Sequence, residues 1–170
     1  FRSRSLRNLC FKNEQRFVHD ELGWNYRFTN LQAAVGLAQL EKLNDHIQRK
    51  RAMGKLYNKL LSNMAKVQLP LSRTKYAENI YWVYGIIIKD NVSINAIDIM
   101  EKLSKKGIGT RPFFYPMHKQ PVFKKMNLYN NETYPVSEKM AERGLYIPSG
   151  IGLKNRQIRL VAEELKKIIR

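Results

Sequence analysis

The 170-residue sequence is poor in metal-binding and redox-active side chains, with one cysteine and three histidines. With Cys10 alone, neither an intrachain disulfide nor an all-cysteine metal site can form. His19, His46 and His118 lie far apart without the spacing of ligands, so we predict no bound metal. The sequence also lacks an apolar run of the ~20 residues that a membrane helix needs and a signal-peptide pattern, which predicts a cytoplasmic protein without a membrane span.

Acidic residues are scarce: 14 Asp and Glu stand against 31 Lys and Arg, a formal net charge of +17. Such a charge makes a polyanionic partner worth considering. The basic residues are dispersed, however, and their densest clusters at 49–51 and 124–125 form no basic stripe with interleaved aromatics. We therefore favour attraction of phosphorylated small molecules and predict no nucleic-acid partner. Salt-dependent retention on DNA would indicate the alternative, a basic nucleic-acid module.

An initiator methionine is also absent, and the chain starts with Phe1 in a polar, arginine-rich stretch. We expect the true beginning of the polypeptide to lie upstream.

The hydrophobic pattern predicts an α+β fold. Thr29 and Gln32 fit a capping box that opens a long helix over 29–64. Beyond Pro70, the pattern predicts strands at 80–89, 108–114 and 145–147, helices at 93–106, 137–143 and 155–169, and an irregular loop at 115–135. Ser93 is the expected N-cap of the second helix and Gly107 its C′ residue. We predict three parts: a first segment without clear periodicity over 1–28, a connecting helix over 29–64 and a small α/β domain over 65–170.

Two segments suggest chemistry. In the segment 23–30, Arg27 precedes a helix start, a combination that suits an anion. The segment 110–118 places three successive aromatics between prolines, with Arg111 and His118 near its ends, and could form an aromatic wall for a ring. The alternatives are a capped helix with a surface arginine and a strand edge folded over the core. The residues alone leave both alternatives open.

Four motifs together resemble the DegT-type nucleotide-sugar aminotransferases, over nearly the whole chain. They are HDELGWNYRFTNLQAA at 19–34, QLE at 39–41, RPFFYPMHKQP at 111–121 and GLYIPSG at 144–150. The resemblance implies the C-terminal portion of the type I (aspartate aminotransferase-like) fold, with pyridoxal 5′-phosphate (PLP) as cofactor. It makes 1–28 the end of the large (cofactor) domain and an interface loop. It implies that the N-terminal catalytic half, including the Schiff-base lysine, lies upstream of Phe1. No residue of this chain is then catalytic, and Lys12 is not a substitute for that lysine.

The resemblance also implies a homodimer whose subunits share active sites. Asn25 would reach across the dimer to the cofactor phosphate, and Arg27 would support that phosphate or receive the carboxylate of glutamate. Arg111, Tyr115 and His118 would contact the nucleotide-sugar substrate.

A narrower resemblance rests on LRNLCF at 6–11, NIYWVYG at 79–85 and GTRPFF at 109–114. It points to family members that move an amino group from glutamate to C4 of GDP-4-keto-6-deoxymannose for polysaccharide biosynthesis. Two alternatives stay open: a PLP-dependent sugar 3-dehydratase of the same family, and a truncated, non-catalytic dimerisation or binding module. On its own, the 170-residue chain is expected to be inactive.

Overall fold

A computed structural model describes residues 1–11 and 17–169. Lys12, considered above, lies outside the described residues. The chain divides into two compact units, Phe1–Asn44 and Asp45–Arg170.

The first unit begins with helix α1 (Arg2–Arg7), and a short extended segment lies beside the end of this helix. The Trp24 N–H donates to the Leu6 carbonyl at 2.7 Å, and the Tyr26 N–H donates to the Arg7 carbonyl at 3.0 Å. Because both neighbours of Asn25 are hydrogen-bonded through the main chain, the backbone that carries the Asn25 side chain is fixed.

Helix α2 (Asn30–Glu41) starts with the predicted capping box, which is confirmed. The Gln32 N–H donates to Thr29 Oγ1 at 3.2 Å, and the Thr29 N–H donates to Gln32 Oε1 at 3.0 Å. The stretch predicted as one helix over 29–64 is two helices, because α3 spans Leu43–Leu61. At Lys42, φ of −102° and ψ of 8° leave the helical region, and its N–H bonds to the carbonyl of Gln39.

Helix α2 carries large apolar side chains on two of its faces, and none of its residues is buried. We call its large exposed side chains the α2 apolar surface: Leu31, Val35, Leu37 and Leu40. Large apolar side chains exposed together normally mark a surface that other parts of a protein or assembly cover. The α2 apolar surface therefore has the composition of an interface.

The second unit contains a four-stranded antiparallel sheet, and together with its helices this confirms the predicted α+β class. The strands are β1 (Val67–Gln68), β2 (Tyr84–Ile88), β3 (Arg111–Pro112) and β4 (Gly144–Ile147), in the order β1-β2-β4-β3. Tyr84 pairs with Ile147, and Arg111 pairs with Tyr146. The end of β4 therefore lies between the start of β2 and the start of β3.

The second unit also contains α4 (Ala96–Ser104), a 3-10 turn (Met117–Lys119), α5 (Pro121–Lys125), α6 (Pro135–Arg143) and α7 (Asn155–Ile168). The expected N-cap of α4 was wrong: Asn95, not Ser93, caps the helix, and its Oδ1 accepts the Asp98 N–H at 2.8 Å. Gly107, expected at the C′ position, has the left-handed φ of +72°. Among the described residues, no helix combines the length and apolar character that crossing a bilayer requires.

The core lies on one face of the sheet. Side chains along a strand alternate between faces, and Tyr84, Ile86 and Ile88 are fully buried while Gly85 and Ile87 are less so. The same hydrophobic cluster takes residues from β4 and from three helices: Tyr57, Leu61, Ile99, Leu103, Leu145, Ile158 and Leu165. The opposite face of the sheet is left for the site described below.

Tyr81 makes a close contact between α3 and the segment before β2. Its backbone adopts a left-handed φ of 53°, and its side chain is only 2% exposed. A Cβ atom at Gly54 would lie 2.3 Å from the Tyr81 ring, so this ring fits only against a glycine. The left-handed backbone also interrupts the predicted strand over 80–89, which begins at Tyr84 instead.

Candidate functional site

Asn25 and Arg27 form an exposed polar pair in the first unit. Arg27 Nε donates to Asn25 Oδ1 at 3.0 Å. This leaves the Asn25 amide NH₂ and the terminal guanidinium nitrogens of Arg27, all of which are hydrogen-bond donors. An arginine with spare N–H groups suits bidentate recognition of a phosphate or carboxylate. The pair therefore fits the phosphate end of PLP, as the resemblance implies.

Arg111 lies in the second unit, at the exposed start of β3, where it lines a cavity of about 470 Å³. We call this space the Arg111 cavity; its other walls are Val83, Gly109, Thr110, Tyr146, Ile147, Pro148, Ser149 and Gly150. The cavity sits where β2, β3 and β4 meet, so the sheet register places Arg111 opposite the end of β4.

Lys50, which the sequence analysis did not single out, fixes one rim of the Arg111 cavity. Its Nζ donates to the Ser149 carbonyl at 2.5 Å and to the Trp82 carbonyl at 2.8 Å. Burial lowers the pKa of this lysine. These two hydrogen bonds join α3 to two loops that are distant in sequence, so no local sequence pattern predicts them.

Phe113 and Phe114 line a second space on the same side of the sheet, which we call the aromatic cleft. It measures about 530 Å³, and its other walls are Thr133, Tyr134, Pro135, Val136, Ser137, Met140 and Tyr146. The Phe113 ring stacks on Tyr146, with centroids 4.4 Å apart and an interplanar angle of 25°. A Cβ atom at Gly85 or Gly144 would lie 2.8 or 2.6 Å from the Phe113 ring. Two glycines thus make room for the aromatic wall.

Tyr115 and His118 have opposite environments although they are near in sequence. The Tyr115 side chain is 56% exposed, whereas His118 is only 7% exposed. His118 Nε2 lies 2.8 Å from Glu138 Oε1, and the Tyr134 ring packs edge-on against the imidazole at 4.9 Å. His118 is thus largely covered by protein atoms.

Glu138 is the centre of what we call the His118 cluster, made of His118, Lys119, Tyr134 and Glu138. Its second carboxylate oxygen accepts from Lys119 Nζ at 2.5 Å, and its first also accepts the Tyr134 N–H at 3.2 Å. Hydrogen bonds from Lys119, from His118 and from the Tyr134 backbone hold the pKa of Glu138 down at about 2. The Glu138 carboxylate is therefore ionised at neutral pH.

The five predicted site residues fall into two groups. Asn25 and Arg27 lie in the first unit, and Arg111, Tyr115 and His118 lie in the second. In the second unit, Arg111 borders a cavity, Tyr115 faces outwards and His118 is buried. The roles assigned to all five stay predictions. Within residues 1–11 and 17–169, no group of three or more His, Cys, Asp or Glu is placed to hold a metal ion.

The sequence matches the model of the DegT/DnrJ/EryC1/StrS aminotransferase family over residues 2–166. Among curated proteins, it is similar to the GDP-perosamine synthase of Escherichia coli O157:H7. The two are 32% identical over 153 residues, which cover 90% of this chain and 40% of the relative.

The fold is similar to solved structures as well. The aminotransferase PseC of Helicobacter pylori, involved in pseudoaminic acid biosynthesis, superposes with a TM-score of 0.86 at 18% identity, over 98% of this chain and 44% of PseC. The E. coli GDP-4-keto-6-deoxy-D-mannose-3-dehydratase, solved with hydrated PLP, superposes with a TM-score of 0.73 at 19% identity, over 88% of this chain and 38% of that one.

These structural similarities confirm the predicted fold, which is that of the C-terminal portion of the family's enzymes. The chain spans only about 40% of the length of the relative it matches in sequence. Because the family model covers nearly all of the sequence, the chain belongs to the DegT/DnrJ/EryC1/StrS aminotransferase family.

Proposed function

We propose that this chain is the C-terminal part of a PLP-dependent sugar aminotransferase that makes GDP-perosamine. The reaction moves an amino group from glutamate to C4 of GDP-4-keto-6-deoxymannose, for polysaccharide biosynthesis. The observation that carries the proposal is the 32% identity to a GDP-perosamine synthase over 90% of this chain.

The residues of the first unit would serve the cofactor. Asn25 and Arg27 offer donors at an exposed position, and we assign them to the phosphate of PLP, with the glutamate carboxylate as the alternative ligand for Arg27. When bound, PLP supplies the electron sink for the amino transfer. The lysine that carries PLP is supplied by polypeptide outside these 170 residues.

The residues of the second unit would serve the nucleotide sugar. Arg111 borders a cavity that could admit an anionic group, and Tyr115 is exposed and able to reach a ligand. His118 contributes from a covered position. The net charge of +17 favours approach of a diphosphate substrate and a phosphorylated cofactor.

The assembly we propose is a cytoplasmic homodimer with shared active sites. The α2 apolar surface supports association, because four large apolar side chains of one helix are exposed in the single chain.

The test uses the polypeptide that contains this chain, purified from its source and supplied with PLP. Its intact mass comes first, because a mass near 20.0 kDa would mean that a separate partner must supply the lysine. Incubation with glutamate and GDP-4-keto-6-deoxymannose should release 2-oxoglutarate and a GDP-linked 4-amino sugar in equal amounts. A dTDP-linked 4-keto sugar is the matched control substrate.

Two results would contradict the proposal. A product that has lost its C3 hydroxyl and gained no nitrogen would identify the 3-dehydratase, whose fold this chain shares. Absence of turnover, together with absence of PLP binding, would identify a non-catalytic dimerisation or binding module.

A further inference from the structure

We propose that Glu138 is a positioning residue that fixes the orientation and proton placement of His118 and joins the substrate-side turn to helix α6. The proposal rests on the proposed function insofar as His118 serves the nucleotide sugar. Neither the sequence motifs nor the comparisons assign any role to Glu138.

The contacts of Glu138 come from two separate parts of the chain. His118 and Lys119 belong to the 3-10 turn Met117–Lys119, and Tyr134 immediately precedes α6. One carboxylate binds all three, at 2.8, 2.5 and 3.2 Å. These bonds hold the turn that ends the aromatic segment against the start of α6.

The charge state of Glu138 determines which imidazole nitrogen carries a proton. An ionised carboxylate can only accept hydrogen bonds, so the 2.8 Å contact requires a proton on His118 Nε2. In the neutral imidazole, Nδ1 is then an acceptor. Among the described residues Nδ1 has no protein partner, which leaves it to accept a hydrogen bond from a ligand hydroxyl.

The same carboxylate also orders the aromatic cleft. Tyr134 lines the cleft, packs edge-on against the His118 ring and donates its backbone N–H to Glu138. Loss of the carboxylate would release the imidazole and one wall of the cleft together. Glu138 therefore acts through its neighbours and not by touching a reacting atom.

The first experiment places the proton directly, by long-range ¹H–¹⁵N NMR of the full 170-residue chain at a pH of about 8.5, where an ordinary imidazole is neutral. The chain has only three histidines, so loss of one signal set in His118→Gln assigns the resonances. We expect a proton on Nε2 of His118. We expect Lys119→Gln to keep it there and Glu138→Gln to give a mixture of tautomers.

A wild-type His118 with its proton on Nδ1 alone would overturn the proposal without any variant. So would a folded Glu138→Gln chain that keeps the proton entirely on Nε2. Lys119→Gln is the matched control, because it removes the ion pair but leaves the carboxylate beside the imidazole.

The second experiment uses the active enzyme that contains this chain. Glu138→Gln should raise KM for the nucleotide sugar by roughly tenfold, the effect expected from losing one charge-assisted hydrogen bond. It should leave KM for glutamate unchanged. An active enzyme in which both KM values match the wild type would overturn the proposal. A wild type without aminotransferase activity would refute the proposed function instead, and the tautomer of His118 would then decide the inference alone.

Discussion

Asn25 is held by its neighbours' main-chain bonds and shares one hydrogen bond with Arg27, so its free amide donors have a defined direction. In the active enzyme, Asn25→Ala should weaken PLP retention by roughly tenfold, because one hydrogen bond to a charged phosphate is lost. Equilibrium dialysis against PLP measures this. Asn155→Ala, which removes an exposed asparagine at the start of α7, is the control. Unchanged affinity for PLP in Asn25→Ala would refute the assignment.

Glu138 should make stability depend on pH in the acid range. Its pKa in the folded chain, about 2, lies below the ordinary value of 4.5, so the unfolded state takes up the proton first. The stabilisation is therefore present above pH 4.5 and is lost as the pH falls towards 2. Melting temperatures at a series of acid pH values should fall less steeply in Glu138→Gln than in the wild type.

Glu142→Gln is the control for this pH series. It removes one negative charge from the same helix and leaves the bonds to His118 and Lys119 in place. Equal slopes for the wild type and Glu138→Gln would contradict the expected linkage.

Gly85 should tolerate no side chain while Phe113 lies against it. In Gly85→Ala, the new Cβ atom would lie 2.8 Å from the Phe113 ring, which cannot move easily because it stacks on Tyr146. We expect a loss of about 1–3 kcal/mol in the free energy of unfolding, measured with urea. Gly109→Ala, where a Cβ atom meets nothing within 4 Å, should cost less. Recovery of stability by Phe113→Leu in the Gly85→Ala background would identify the collision as the cause.

At the scale of elements, α7 provides a matched pair of leucines. Leu165 is fully buried in the core and Leu160 is 49% exposed. Leu165→Ala should reduce the free energy of unfolding by about 2–5 kcal/mol, because it removes buried methyl groups and leaves a cavity. Leu160→Ala should change it by only about 0.5 kcal/mol. Similar losses in urea titrations of the two variants would mean that α7 packs differently.

Local patterns predicted several elements well. The hydrophobic periodicity predicts a helix at 155–169, and in the structure α7 spans Asn155–Ile168. The capping box of Thr29 and Gln32 correctly marks the start of α2. These signals succeed because the residues that interact are within a few positions of each other. The strand expected from residue 80 starts later, since the left-handed backbone of Tyr81 interrupts it, and the Tyr81 ring packs on Gly54, which is distant in sequence.

The candidate site was less predictable for the same physical reason. The motifs indicated Arg111, Tyr115 and His118, but the carboxylate that binds His118 is Glu138 of α6, which follows α5 in the chain. Lys50 likewise reaches Ser149 from another part of the fold. Contacts of this kind depend on tertiary packing, so a single sequence carries no local signal for them.

The whole molecule combines a large net charge with an exposed apolar helix. We expect the 170-residue chain to self-associate through the α2 apolar surface, and to do so more strongly as salt screens the repulsion from its net charge of +17. Sedimentation velocity over a range of salt and protein concentrations measures the association. The double variant Leu37→Glu/Leu40→Glu should reduce it, whereas Leu160→Glu, an exposed change in α7, should not. A monomer under all conditions would contradict the expectation.

The fit of Tyr81 against Gly54 has a consequence for recombination between relatives. A chimaera that takes its α3 from one parent and its β2 region from another inherits the two partners separately. A parent with any side chain at position 54 would bring a Cβ atom to within 2.3 Å of the Tyr81 ring. Crossovers between positions 54 and 81 should therefore disrupt the fold when the parent that supplies α3 has a side chain at position 54 and the other parent supplies Tyr81. Crossovers outside this interval are free of the restriction.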